Sequence, residues 1–504
     1  MITLGIDIGT SSVKVALIER MDNGTEVLLA SNAQTLSVSR PRAGFSEQAP
    51  EDWWQATLSC IDRIQRDHPQ GLSACISIGL SGQMHGAVLL DRHGAVLRPC
   101  ILWNDGRSQH QCDTFEAAWP SSRQVTGNMA MPGFTAPKVI WVRDNEPQLF
   151  EQIDKILLPK AYVRWRLCGE AVEDMSDASG TLWLDVANRT WSQESLSACG
   201  LSLHQMPRLV EGSAIAGRLV ESLARRWSMP RPPLIAGGAG DNAAGAVALG
   251  AVKPGDAFVS LGTSGVVWAT TASFMPRPDS AVHAFCHALP QRWHQMGVVL
   301  QAAASLSWWA KICGQEESAL LAELNEGSTT GAWFLPYLSG ERTPHNDPSV
   351  RGGFSGLDAA HGRADLTLAV LEGVAYALRD ASKSIESAGS RLTEADLIGG
   401  GARSSFWCQL LADVLAVPMH TIVESDLGCA LGAARLAWMA ASGADASELG
   451  RPIRSRTFEP RGASTRYHEE RHATWRWLYH GASALARRPQ LGESFTSSIA
   501  GELR

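Results

Sequence analysis

The 504-residue chain has no Cys-x-x-Cys pair; its ten cysteines stand singly between Cys60 and Cys429. Scattered thiols in a long chain fit reduced, mostly buried side chains rather than a disulfide frame or a zinc ribbon. The nearest approach to a metal cluster is His283, Cys286 and His287 in HAFCHAL, which lacks a second cysteine pair or a third histidine and is expected to be core. No run of about 18 apolar residues occurs, so no membrane span is expected. The N-terminus enters a strand pattern directly, without a charged and then apolar leader, which points to a cytoplasmic protein. No Lys/Arg run interleaved with aromatics is present and the net charge is −7, which argues against nucleic acid as a partner. Gly-x-x-x-x-Gly-Lys-[Ser/Thr], His-Arg-Asp and Asp-Phe-Gly are all missing, which removes two common routes to phosphoryl transfer. If this chain handles ATP, it needs another cradle.

What is present begins with a repetition. GIDIGTSSVKVAL starts at Gly5, and SLGTSGVVWAT starts at Ser260. Each is an apolar strand, Gly-Thr-Ser, a small residue and a Val-rich strand, the pattern of a β-hairpin. Small hydroxylated turns let backbone N–H groups approach phosphate oxygens closely. One such turn alone is equally an ordinary hairpin. The copies differ three positions before the threonine, where Asp7 is matched by Ser260. Two hairpins half a chain apart, with one carboxylate between them, indicate a duplicated fold whose halves do different work.

The length is too great for one ordinary core, and 45% apolar with 19% charged residues is a soluble globular profile. Strands alternating with crossover-length helices indicate an α/β fold with parallel pairs. A helix is expected over EDWWQATLSCIDRIQRD, with Trp53, Trp54, Leu58, Ile61 and Ile64 on one face. The turn formers Gly250, Pro254 and Gly255 place a boundary near residue 250. The division is therefore 1–250, 251–485 and a polar tail over 486–504.

Four further stretches carry chemistry. In IAGGAGDNAAGAVALGAV a strand enters a glycine-rich bend and then a helix, with Asp241 as the expected N-cap. Held at a cleft, the same carboxylate could take a proton from a hydroxyl. In ADLIGGGARSSFWCQLLADVLAVPM three glycines precede a helix capped by Ser404 or Ser405, leaving backbone open to a flat ring or a phosphate. In SGQMHGAVLLD and ILWNDGRS, the residues Gln83, Met84, His85, Trp103, Asn104 and Asp105 offer sugar-type hydrogen bonds and apolar walls.

Together these stretches resemble the actin/Hsp70/sugar-kinase superfamily, in which duplicated ribonuclease H-like ATPase domains close around ATP. Within it the chain is similar to the FGGY carbohydrate kinases over roughly residues 3 to 480. GFTAPKVIWVRDN from Gly133 fits that family's first signature, and GGFSGLDAAHGRADLTLAVLE from Gly352 fits the second. MSDASGTLWLDVA and FLPYLSGERTPHN, with the two sugar stretches, resemble the branch that phosphorylates D-xylulose. The resemblance implies ATP and Mg²⁺ as cofactors and D-xylulose as acceptor, with ribulose, a related ketose or a polyol as alternatives, and it admits a homodimer. A non-enzymatic ATP-binding scaffold is the alternative of another class. It implies Asp241 as catalytic base and Asp7 as the acid near Mg²⁺, both meeting the metal through water. It places Met84 and His85, with Asn104, Asp105 and Asn242, at the sugar. Thr10, Ser11, Thr263 and Ser264 would face the phosphates, and Gly400, Gly401 and Ser404 the adenosine. Where the family has an asparagine in the adenosine turn, this chain has serines at 404 and 405.

Overall fold

The computed structural model describes residues 1–423 and 427–487. The first hairpin is β1 (Ile2–Ile8) and β2 (Ser12–Arg20), followed by β3 (Glu26–Thr35), helix α1 (Pro50–Asp67) and β4 (Cys75–Gly82). Proline at its first turn, with Glu51 and Asp52 beside it, starts α1. Its expected apolar face (Trp53, Trp54, Leu58, Ile61, Ile64) is buried, each side chain contributing about 1.5–3 kcal/mol. Helices α2 (Thr135–Asn145) and α3 (Pro159–Cys168) come next, then strands β5 (Ile215–Arg218), β6 (Leu234–Ala236) and β7 (Ala239–Gly240). Helix α4 (Asp241–Leu249) closes this half. The sheet runs β5–β6–β4–β1–β2–β3, with β7 beside the end of β4.

The second half repeats the plan. Hairpin β8 (Ala257–Leu261) and β9 (Gly265–Thr271) is followed by β10 (His283–Cys286), β11 (Trp293–Val299) and the 25-residue helix α5 (Arg363–Ser387). Then come β12 (Ala395–Ile398), α6 (Ser405–Leu415), β13 (Met419–Ile422), α7 (Cys429–Ser442), β14 (Arg454–Phe458) and α8 (Gly462–Ala486). This sheet runs β10–β11–β9–β8–β12–β13–β14. In each half an antiparallel hairpin continues to a third antiparallel strand. A helix then crosses to a strand parallel to the first: β4 along β1, and β12 along β8. The duplication is thus one of whole sheets. The tail expected from residue 486 lies, beyond Arg487, outside the described residues. No helix of the described residues is long and apolar enough to cross a membrane.

One helix ties the halves together. α7 follows β13 of the second sheet, yet it packs on β1 and β4 of the first and against α4. Glycine makes this possible. A Cβ at Gly5 would lie 1.9 Å from the Ala430 carbonyl oxygen, one at Gly79 1.9 Å from that of Ala433, and one at Gly432 1.9 Å from that of Ala244. Arg435 of α7 donates to the carbonyls of Val247 and Ala248, which end α4, and pairs with Glu26 of β3 at 2.7 Å. A cation on the last carbonyls of a helix satisfies both orphan acceptors and the dipole. α4 then stops at Gly250, whose φ of 64° is the left-handed conformation that suits glycine.

Gly79→Ala should therefore lower the melting temperature, at a cost of about 1–3 kcal/mol or more, because helix backbone cannot retreat from the new methyl. Gly245→Ala, inside α4 with nothing within 4 Å of the added atom, should raise stability by about 0.5–1 kcal/mol. Thermal unfolding of both variants checks the pair; a Gly79→Ala protein as stable as its parent would remove α7 as the tie.

Candidate active site

Between the two sheets lies a cavity of about 330 Å³. Met84, His85, Asp241, Asn242, Thr263 and Ser264 line it, so six of the expected site residues meet there. Ser260, the counterpart of Asp7, is on its wall as well. Larger grooves on the outside of the second half, of about 590 and 750 Å³, contain none of the expected catalytic residues.

Asp7 is the penultimate residue of β1, level with Ser81 of β4, whose hydroxyl donates to Asp7 Oδ1 at 2.7 Å. Burial raises its carboxyl above the ordinary range, against that hydrogen bond and the charge of Lys14. Asp241 is the first residue of α4 rather than its N-cap: Gly240 occupies the cap position and no side chain caps the helix. The extended β7 pairing carries the chain up to Gly240, so Asp241 is already inside the first turn. Its Oδ1 accepts instead from Asn242 N (2.7 Å) and Asn242 Nδ2 (2.8 Å). Burial pushes Asp241 up to about 6, the Asn242 backbone N–H opposes the rise and the charge of Asp7 adds to it. A carboxyl poised near neutrality, facing a cavity, is suited to proton abstraction. Asn242 lines the cavity but spends its amide on orienting Asp241.

The hairpin turns present backbone rather than side chains. No acceptor among the described residues takes the N–H of Thr10, Ser11, Thr263 or Ser264. Ser11, Thr263 and Ser264 are exposed. The Thr10 hydroxyl, expected at the phosphates, donates to Gln83 Oε1 at 2.9 Å and accepts from Trp103 Nε1 at 3.0 Å. Gln83 continues to Gln48, which accepts from Trp53 Nε1, so the first turn is braced from α1. The second turn is braced from behind, because the Gly262 and Thr263 carbonyls accept from Ala303 N and Ala302 N. Gly399, with φ of 91°, abuts the same turn: a Cβ there would be 2.8 Å from the Leu261 carbonyl, and one at Gly401 2.4 Å from the Leu261 side chain. Ser404 caps α6 through Trp407 N, and α6 buries Trp407, Cys408, Leu410, Leu411 and Val414. Gly399 and Gly401 are therefore beside the second hairpin, and Gly400, Gly401 and Ser404 are all outside the cavity.

His85 holds a strained backbone, with φ of 72°. Lys138 and Thr135 of α2 fix it: Lys138 Nζ donates to the carbonyls of His85 (3.0 Å) and Gly133 (2.7 Å), and Thr135 Oγ1 donates to His85 O (3.1 Å). The first signature thus anchors the sugar loop. The His85 Nδ1 lies 2.7 Å from the Gly180 carbonyl, which can only accept, so Nδ1 carries the proton and Nε2 keeps its lone pair. Burial, with Lys138 nearby, lowers the imidazole to about 3 and keeps it neutral. Met84 fills the space between Gly240 and Gly180, where added Cβ atoms would come within 2.8 and 2.9 Å of it.

Asn104 and Asp105 do not join the site. Asn104 is exposed and off the cavity, and the Asp105 carboxylate is buried against Arg107 (2.7 Å) and Ser46 N (2.6 Å). Their neighbour Trp103 takes the cavity wall instead. His283 belongs to the wall too, as a neutral ring whose Nδ1 is 2.9 Å from Asn128 Oδ1. The sugar motifs lay wholly in the first half of the sequence, yet His283, Met296, Val298 and Arg342 of the second half complete the cavity. Lys138 and Arg342 stand inside stretches quoted for their family pattern, with no local signal of where their charges end. Beneath the floor, Asp174 accepts from Ser176 Oγ at 2.5 Å, and Gly240 N donates to Ser176 Oγ at 3.1 Å, steadying the approach to Asp241. Lys160 neutralises this buried group from 2.6 Å.

Known proteins match the same halves. The model of the FGGY carbohydrate kinase N-terminal domain matches residues 2–248, and that of the C-terminal domain residues 257–441. A xylulose kinase of Escherichia coli is 52% identical over 87% of this chain and 90% of its own length. One of Klebsiella pneumoniae is 49% identical over 87% and 89%. The crystal structure of a xyloylose kinase from Brucella ovis superposes with a TM-score of 0.93 at 49% identity, covering 96% of this chain and all of its own. With both domain models matched and relatives of this similarity spanning most of its length, the chain belongs to the FGGY family of carbohydrate kinases, which use ATP.

Proposed function

We propose that the protein transfers the γ-phosphoryl group of ATP to the 5-hydroxyl of D-xylulose, giving D-xylulose 5-phosphate. The observation that carries this reading is the meeting of Asp241, His85 and the Thr263–Ser264 turn in one small cavity. Similarity to the xylulose kinases supplies the sugar. Asp241, ionised and held by Asn242, accepts the proton of the hydroxyl as its oxygen attacks the γ-phosphorus, whose bond to the bridging oxygen breaks to release ADP. The open N–H groups of the two turns receive phosphate oxygens from opposite sides, a preorganised donor set for charge spread over the transferring group. His85 Nε2 accepts from a sugar hydroxyl, while Met84 and Trp103 supply apolar walls. The Gly399–Gly401 turn, stripped of side chains beside the second hairpin, offers its surface to the adenosine.

Asp7 and Asp241 also suit a hard divalent cation. Both are half-buried oxygen donors, and the charge of Asp7 adds to the raised carboxyl of Asp241. Mg²⁺ held there, through water, would supply charge neutralisation to the phosphates. Ser260 in the second copy leaves that duty to one side of the cleft.

Asp241→Asn should lower turnover about 10²- to 10⁴-fold in an ADP-release assay, with D-xylulose binding by calorimetry kept within a few-fold. Its melting temperature should hold or rise, since Asn242 retains its acceptor and a repulsion with Asp7 disappears. Because the base must be ionised, kcat/KM of the parent should fall as pH drops through about 6. Near-normal turnover in the variant would take the base role from Asp241. His85→Ala leaves a sugar hydroxyl unpaired and should cost about 1–3 kcal/mol in kcat/KM for D-xylulose, with the KM for ATP steady. Equal loss for both substrates would make His85 packing only.

A further inference from the structure

Among the described residues, Arg342 is the one cavity-lining cation, and none of them accepts a hydrogen bond from its guanidinium. Its backbone is tightly placed. Glu341 Oε1 accepts from Arg342 N at 2.7 Å and from Leu300 N at 2.9 Å; Thr343 Oγ1 donates to Ala281 O at 2.8 Å and accepts from Val298 N at 3.0 Å. These bonds fasten both neighbours of Arg342 to the end of β11, so the side chain between them is delivered into the cavity. The adjacent Glu341 interacts with its charge but spends Oε1 on backbone N–H groups, and burial pushes that carboxyl up to about 8. Its surroundings are His85 and His283, both held lower by its charge, and Gly133, where an added Cβ would be 4.0 Å from Nη2. Gly240, which leads into Asp241, packs on Met84, whereas the guanidinium lies beside Gly133, so Arg342 and Asp241 line different parts of the cavity.

We infer that Arg342 is a specificity-determining residue that receives the C2 ketone oxygen of the sugar, together with a neighbouring hydroxyl oxygen, and so selects ketoses over the corresponding alditols. This rests on the kinase reading above. In an extended ketopentose the carbonyl is three carbons from the 5-hydroxyl, so with C5 at Asp241 it falls at the far end. The chemistry matches group by group. His85 presents a bare Nε2, a partner for hydroxyls that bring their own hydrogen. The ketone brings none, and a guanidinium can only donate, through a fork that spans two adjacent oxygens. Because Arg342 comes from the second half and His85 from the first, one sugar molecule engages both.

The test compares kcat/KM for D-xylulose with kcat/KM for xylitol and D-arabinitol, which lack the carbonyl, in the parent, Arg342→Met and Arg342→Lys. The parent should favour D-xylulose strongly. Arg342→Met should lose about 10- to 100-fold on D-xylulose and about threefold or less on the alditols, narrowing the ratio. Arg342→Lys, which keeps the charge but not the fork, should narrow it partway and keeps the question answerable if the methionine variant does not fold. Calorimetric binding of a non-hydrolysable ATP analogue should be unchanged in each folded variant. A ratio unaltered in the variants, or equal losses on ketose and alditol, would overturn the role of Arg342 while leaving the kinase reading intact. A parent that phosphorylates none of the three sugars would overturn the kinase reading itself.

Discussion

The close seating of α7 on the first sheet is the contact from which the site follows. α7 leaves the second sheet after β13, lies on Gly5 and Gly79, and presses Gly432 onto α4. Backbone-to-backbone approach of this kind tolerates no side chain, so the register of α7 against β1 and β4 is fixed closely. α4 carries Asp241 at its N-terminus, and β1 carries Asp7 near its end. The helix that joins the halves therefore also sets Asp241 relative to Asp7. Cys429, the first residue of α7, donates to the Asp241 carbonyl at 3.2 Å, which brings the tie to the edge of the site itself.

Duplication gives two like hairpins, and divergence makes them unequal. Both offer open N–H groups at a Gly-Thr-Ser turn, but only the first carries a carboxylate. A second acid at position 260, on the wall of the same cavity, would add another negative charge to Asp241, which burial, with the charge of Asp7 added, already raises to about 6. A neutral serine adds no further rise. The two turns are also braced differently, the first by the Thr10–Gln83–Gln48–Trp53 chain and the second by the start of the helix after Ala302.

Periodicity and turn chemistry made the two hairpins, α1 and the Gly-rich bends legible, because each is a local choice with a local pattern. Asp241 and His85 adjoin a glycine, and Asp7 and Met84 stand two residues from one, so local pattern singled these positions out while the family resemblance supplied their expected roles. What escaped was orientation. Residues 103 to 105 are adjacent, yet Trp103 faces the cavity while Asp105 turns to Arg107, and nothing in the order Trp-Asn-Asp says which side is which. Thr10 likewise spends its hydroxyl inside the fold. Lys138 and His283 depend on partners far away in sequence, Arg342 is placed by neighbours bonded to a distant strand, and the contribution of the second half to the cavity appears only when the sheets are brought together.

The account predicts that one ketone sugar bridges both halves with its 5-hydroxyl at Asp241 and phosphorus arriving from the hairpin side. The most direct measurement is NMR of D-xylulose labelled with ¹³C at C5, incubated with the protein, ATP and Mg²⁺. Coupling between phosphorus and the labelled carbon, growing as ATP is consumed, is the predicted result. Phosphorus appearing on another carbon, or only as inorganic phosphate, would contradict it.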